Sequence, residues 1–297
     1  MLPILITGAN GFIGRRLLDD LSSRPHYEVT GCSLHDDLCP RADAYRFLQT
    51  DIRDICAVEK LFQEICPAVT IHTAALSATE YCETHRREAD RLNIEATAIL
   101  AACCRRYGSR LIHLSTDFVF DGTATHLYRE NDEPQPVNYY GETKLKSERL
   151  AASLCPDHAI VRVEVVYGTP LPGQHGNIAQ LVANRIRNNE EIFVVSDQLR
   201  TPTYVGDVSQ GIERLIESSR RGIYHLCGKD EVSIADMAYR VADVLGEGHS
   251  LIRPQTTATL PDKTPRPLRT GMSIEKACRE LGYRPLSLEE GLRRMFS

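Results

Sequence analysis

Cysteines at metal-binding or redox spacing are missing from this chain: ten cysteines are spread over 297 residues, none stands in a C-x-x-C pair, and the only close pair is the adjacent Cys103-Cys104. That scatter offers neither a zinc site nor a disulfide framework, so no metal and reduced thiols in a cytoplasm are expected. The N-terminal apolar run reads as a strand rather than a signal peptide. No apolar run approaches the roughly 20 residues that cross a bilayer, so no membrane partner is expected. A broad basic field is also lacking, since the formal net charge is −5, and nucleic acid is therefore not expected as a partner. No internal repeat or low-complexity segment interrupts the chain. At 297 residues it is long for one core, and two closely joined lobes acting on a small molecule fit better.

What is present begins with Ile4-Leu-Ile-Thr-Gly-Ala-Asn-Gly-Phe-Ile-Gly-Arg-Arg-Leu-Leu18. The run Ile4 to Ile6 has the length of a buried strand, and Phe12, Leu17, Leu18 and Leu21 recur behind it at helical spacing. Gly8, Gly11 and Gly14 therefore occupy a strand-to-helix turn. Glycines there let the backbone bend tightly and a pyrophosphate approach, while the unpaired N–H groups of the helix start attract its charge. A dinucleotide site is the first reading, with a purely structural turn as the alternative, because the spacing is not G-x-G-x-x-G.

A second strand, Tyr27 to Leu34, ends in Cys32-Ser33-Leu34-His35, where a carboxylate would select NAD by bonding the ribose 2′-hydroxyl. Its absence there, with Arg15 just past the turn, favours NADP(H) while leaving NAD(H) open. Asp36 and Asp37 follow closely, and the alternative is that Arg15 and His35 are merely solvated groups. A third strand, Phe47 to Ile52, ends at Asp51, which also reads as a helix cap, as does Asp54. Ala68 to His72 forms the next strand, and the small residues after it, Thr73 to Leu76, would let a cofactor lie against the backbone. A helix is expected over Glu88–Tyr107 with Leu92, Ala96, Ile99 and Leu100 facing inward.

Leu111 to Leu114 is strand-like, so Ser115, Thr116 and Asp117 emerge at its carboxyl end. Downstream, Tyr140 and Lys144 stand one turn apart on a helix face, close enough for an ammonium to lower a phenol's pKa. A strand is expected over Ala159–Tyr167, a helix over Ile178–Ile186, another over Val205–Ile216, and a strand over Ile223–Leu226. Ser233-x-x-Asp236 and Ser287-x-x-Glu290 have the form of helix starts, and Arg266 and Arg269 lie in a proline-rich loop, available for a phosphate.

The glycine turn, Thr116 and the Tyr140-x-x-x-Lys144 pair together resemble the extended short-chain dehydrogenase/reductase family. Within it, Ser115-Thr-Asp-Phe-Val-Phe-Asp-Gly122, Glu130, Pro134 and Asn138-x-Tyr140-Gly-x-Thr143-Lys144-x-x-x-Glu148 are most similar to the dTDP-4-dehydrorhamnose reductases, as are Thr201-Pro-Thr203 and Arg266-Pro267. The resemblance implies a doubly wound, Rossmann-like parallel α/β sheet over residues 1–168 with a return segment near 202–227, and a smaller substrate lobe over 169–297. It implies catalysis by Thr116, Tyr140 and Lys144 and a cofactor held by Gly8, Asn10, Gly11, Phe12, Ile13, Gly14, Arg15, Ser33, Asp51, Ile52, Ala74, Ala75, Leu76 and Asn93, with Tyr140 and Lys144. A sugar nucleotide would meet Ser115, Asp117, Phe118, Val165, Arg200 and Arg266, and a homodimer is compatible with the resemblance. The chain contains no tryptophan, and Val165 stands where sugar reductases often carry one. The turn and Arg15-Arg16 look as much like the regulatory β subunit of methionine adenosyltransferase, and a sugar-nucleotide epimerase or dehydratase is a further alternative. Phe118 stands where the dehydratases carry a glutamate, which favours reduction over elimination.

Overall fold

A computed structural model describes residues 1–41, 44–174 and 176–297. Six strands, β1 (Leu2–Thr7), β2 (Tyr27–Ser33), β3 (Arg46–Gln49), β4 (Val69–His72), β5 (Arg110–Thr116) and β6 (His158–Val163), join a seventh, Gly222–His225, in one sheet. The order is Gly222–His225, β6, β5, β4, β1, β2, β3, with every pairing parallel. Parallel strands covered on both faces read as continuous apolar runs, as Ile4, Leu5 and Ile6 do at 0% exposure. The order reverses between β1 and β4, which opens a crevice at their carboxyl ends.

Helices cover both faces. α1 (Phe12–Ser22) packs Leu17, Leu18 and Leu21 on one side together with Val208, Ile212 and Leu215 of the helix Val205–Ile216. α2 (Ile55–Ile65) and α5 (Ala96–Tyr107) bury Val58, Phe62 and Leu100 on the other. Asp54 caps α2 through the Cys56 N–H at 2.9 Å, whereas Asp51 pairs with Arg53. Between them lie the short helices α3 (Thr79–Thr84) and α4 (Arg86–Ala89). The helix expected over Glu88–Tyr107 is broken in register by a π-helical segment at Asp90–Glu95, which carries Asn93. α6 (Tyr139–Leu154) begins on an Asn138 side chain that accepts from the Gly141 N–H at 2.9 Å.

A separate apolar cluster gathers Val182 and Ile186, Ala238 and Val241, and Leu288 and Leu292 from three helices after residue 177. The two helix starts read at Ser233 and Ser287 are both reciprocal capping boxes. One expected element is divided. The strand read over Ala159–Tyr167 stops at Val163 and resumes as Val166–Tyr167, which pairs with Thr203–Tyr204 instead of the large sheet. Val165 takes φ +38 at the break. A β-branched residue in that region costs on the order of 1–3 kcal/mol, and the reversal turns Glu164 into the interior, where it is 1% exposed. Among the described residues no helix is long and apolar enough to cross a membrane.

Candidate active site

The glycine turn follows β1 at the crevice. Gly8 has φ +71, and a Cβ there would meet the Ala74 backbone nitrogen at 2.6 Å; at Gly14 a Cβ would lie 2.2 Å from the Gly8 carbonyl oxygen. Side chains are thus excluded by the close approach of the turn to α1 and to the segment after β4, and the surface left behind is bare backbone. α1 starts from Gly11 with no side-chain cap and no acidic residue in its first turn, so its first N–H groups remain for an anion. This cradle fits the pyrophosphate of a dinucleotide.

Two adjoining hollows meet at Gly11. The first is lined by Gly8, Ser33, Asp51, Ile52, Ala74 and Ala75, an adenosine-sized slot between β1, β2 and β4. The Arg53 hydrogen bond holds the Asp51 carboxyl below its usual range. The second is lined by Phe12, Ile13, Gly14, Thr116, Phe118, Tyr140, Lys144 and Val165. The geometry therefore brings Thr116, Tyr140 and Lys144, the expected catalytic set, and the glycine turn into one cleft. Phe118 and Val165 also line a further groove with Phe193, Gln198, Leu260 and Arg266. Phe118 meets the Tyr140 ring edge-on at 5.9 Å between centroids.

Within the cleft the hydrogen bonds depart from the simplest expectation. The Lys144 ammonium donates to the Leu114 carbonyl at 2.7 Å, and burial pushes it down to about 8 against the pull of Glu148. Burial pushes the Tyr140 phenol up, opposed by the Thr116 hydroxyl, so the phenol keeps its proton at neutral pH. The expected lowering by Lys144 is absent from this geometry, because desolvation of a buried phenol outweighs an ammonium that is itself turned to a carbonyl. Thr116 Oγ1 donates to Asp117 Oδ1 at 3.0 Å and accepts from the Phe118 N–H at 3.3 Å.

Several residues expected at ligands have their polar groups bonded within the fold. Arg15 is 2% exposed, and its guanidinium donates to Asp37 Oδ1 at 2.6 Å, to the Cys39 carbonyl and the Tyr45 hydroxyl at 2.7 Å each, and to Asp19. Its charge is spent before a 2′-phosphate could meet it. Asn10 clamps the same loop, donating to the Asp36 carbonyl at 2.8 Å and accepting from the Leu38 N–H at 3.1 Å. Asn93 bonds both backbone groups of Leu76 and the Thr143 hydroxyl, which places it and Leu76 behind the cleft wall. Ser115 and Asp117 line the cleft, but Ser115 donates to Glu148 at 2.5 Å and the Asp117 carboxyl, 2% exposed, is turned to Thr270. Arg200 donates to the Leu199, Pro267 and Leu268 carbonyls, and Arg269 is held by Glu231 at 2.8 Å. Arg200 and Arg266 both line the groove; the Arg200 donors are taken up by backbone carbonyls, whereas Arg266 pairs with Glu80 and Asp262.

Arg15→Ala is accordingly expected to leave the largely buried Asp37 side chain without its cation, and Asp19 with Arg41 at 3.6 Å, and to cost about 3 kcal/mol of stability, with NADPH and NADH affinities changed alike. Urea unfolding together with fluorescence titration of both cofactors checks this; an unaltered midpoint with a selective loss of NADPH would return Arg15 to the 2′-phosphate. Glu164 is the buried group that sequence reading passed over. A lone carboxylate inside the apolar run Ala159–Tyr167 was its signal.

The family described as RmlD substrate binding domain matches residues 2–297. A dTDP-4-dehydrorhamnose reductase of Aggregatibacter actinomycetemcomitans is 31% identical, over 99% of this chain and 98% of that protein. Methionine adenosyltransferase 2 subunit beta of Xenopus tropicalis is 33% identical, over 92% of this chain and 80% of that one. The crystal structure of dTDP-4-dehydrorhamnose reductase from Bacillus anthracis in complex with NADP superposes with a TM-score of 0.86 at 28% identity, covering 100% of this chain and 99% of that one.

Proposed function

The chain belongs to the RmlD substrate binding domain family, and on that footing we propose that it is an NADPH-dependent reductase of a 4-keto sugar nucleotide of the dTDP-4-dehydrorhamnose type, with NADH as a second cofactor. The observation that carries the reading is the shared cleft of Tyr140, Lys144, Thr116 and the glycine turn. The cradle at Gly8, Gly11 and Gly14 would hold the pyrophosphate, Asp51 and Ile52 the adenine side, and Lys144 the nicotinamide ribose. A nicotinamide nucleotide bound there supplies a hydride.

Tyr140 supplies the proton. A neutral phenol is the form needed to protonate a ketone oxygen, and the upward shift by burial keeps it so. Thr116, whose own hydrogen goes to Asp117, borders that phenol in the cleft, and the single phenol hydrogen is left for the ketone oxygen. In the neighbouring groove Phe193, 61% exposed, offers a ring face to a base, and Arg266 is the cation that can exchange Glu80 for a diphosphate. Residues 1–168 with the return segment 202–227 would then form the cofactor lobe and 169–297 the sugar-nucleotide lobe.

Elimination of water requires an acid and a base at the sugar. Phe118 supplies neither, which favours reduction over a dehydratase. The likeness to methionine adenosyltransferase 2 subunit beta supports a second, regulatory reading. Against it stands the complete Thr116, Tyr140 and Lys144 set facing one cleft. Incubation with NADPH and a 4-keto sugar nucleotide tests the proposal: one NADPH should be oxidised per product formed. A cofactor pool that stays reduced while product appears would mean an epimerase or dehydratase.

A further inference from the structure

Behind Thr116, two carboxyl groups are buried against each other. Asp117, at the end of β5, and Glu164, in the break after β6, are 2% and 1% exposed. One hydroxyl joins them: Thr270 Oγ1 lies 2.6 Å from Asp117 Oδ2 and 2.8 Å from Glu164 Oε1. Counting hydrogens settles the state of the pair. A hydroxyl has one hydrogen and can donate to only one carboxylate; the other contact at that distance requires a hydrogen supplied from the carboxyl side. Two ionised carboxylates do not satisfy this geometry, whereas one proton shared by the pair does.

The remaining contacts say where that proton sits. Glu164 Oε2 accepts from the Thr201 backbone N–H at 2.9 Å and from the Thr201 hydroxyl, leaving Oε1 to carry a proton toward Thr270. Asp117 Oδ1 accepts from Thr116, as an ionised group should. Other titratable or charged groups facing the pair are Arg200, whose Nε is 3.8 Å from each carboxyl, the Cys227 thiol and the Tyr140 phenol beside Asp117. Arg200 supplies one positive charge, which balances one negative charge and not two.

We propose that Glu164 is a positioning residue that keeps its proton at neutral pH and, through Thr270 and Asp117, fixes the direction of the Thr116 hydroxyl. The hydrogen bonds run Glu164 to Thr270 to Asp117, while Thr116 donates to Asp117 from the other side, so that its hydroxyl keeps one direction beside Tyr140. No proton leaves this chain during turnover. The location of the proton stands on geometry alone; its effect on turnover rests on the reductase reading.

Burial first and repulsion by Asp117 second push the Glu164 carboxyl from 4.5 up to about 8. A folded state that holds a proton the unfolded chain has released loses stability as pH rises through that window. Lys144 behaves oppositely, since its shift from 10.5 down to about 8 makes stability rise only above pH 8. The two groups therefore act in separate windows.

Three measurements on the full chain test the inference. Infrared difference spectra of the wild-type protein against Glu164→Gln at pH 6.5 should show the C=O stretch of one protonated carboxyl, present only in the wild type. The urea midpoint of the wild type should fall relative to Glu164→Gln between pH 5 and 8. Thr270→Val and Glu164→Ala should turn over roughly tenfold more slowly, the scale of one lost orienting hydrogen bond, with NADPH affinity retained, and Glu164→Gln should restore most of that loss because its amide can donate to Thr270. No acid band and parallel pH–stability curves would overturn the shared proton, whatever the protein's activity. With the band present, a Glu164→Gln enzyme as slow as Glu164→Ala would overturn the positioning role.

Discussion

Tyr140→Phe is expected to lower kcat by about 10²–10⁴, the usual worth of a general acid, while the Kd for NADPH stays within error. The ring remains, so its edge-on contact with Phe118 at 5.9 Å and the packing around it persist, and only the proton donor is lost. Among the described residues no other neutral acid on the cleft wall replaces it. Asp117 is turned to Thr270, the Thr116 hydrogen is committed to Asp117, and the Lys144 ammonium is bonded to Leu114. Stopped-flow absorbance at the NADPH band gives the rate, and fluorescence titration the affinity. Turnover at the wild-type rate would rule out Tyr140 as the proton donor and leave Lys144 as the nearest cleft group able to supply a proton.

The largest stability effect is expected from Arg162→Met. Arg162 on β6 and Glu148 on α6 are 1% and 3% exposed, and the pair is bidentate at 2.9 and 2.7 Å. Glu148 also accepts from Ser115, and Arg162 lies over the Phe120 ring at 5.0 Å. Removing the guanidinium strands a carboxylate in the interior, at a cost of about 3–5 kcal/mol. Because Ser115 precedes Thr116 and Glu148 stands one turn from Lys144, the loss reaches the cleft as well as the fold. The double variant Arg162→Met/Glu148→Leu should be less damaged than Arg162→Met alone, since it leaves no charge behind. Urea midpoints measure both; a double variant that loses as much as the sum of its singles would show that the pair acts through packing rather than charge.

Local patterns carried most of the fold. The apolar run at Ile4–Ile6, the glycines after it, the Ser233 and Ser287 capping boxes and the one-turn spacing of Tyr140 and Lys144 all depend on neighbours within a few residues, and the structure has each element. What sequence could not yield was the partner of each polar group. Arg15 has the position of a phosphate ligand, but it meets Asp37 22 residues later only because Asn10 folds the intervening loop back over α1. Ser115 and Asp117 sit at a strand's end, where ligands bind, yet they turn toward Glu148 and Thr270, 33 and 153 residues away. The divided strand after β6 follows from the left-handed backbone of Val165, a conformation its β-branched side chain argues against, so no propensity scale would place it there.

Isotope transfer tests the central claim most directly. A 4-keto sugar nucleotide incubated with NADPH deuterated at the transferable C4 position should give a product heavier than its protonated counterpart by one deuterium, located on the former carbonyl carbon, with one NADP released for each molecule formed. A product that carries no deuterium, or one that appears without net oxidation of the cofactor, would contradict the assignment of this cleft to ketone reduction.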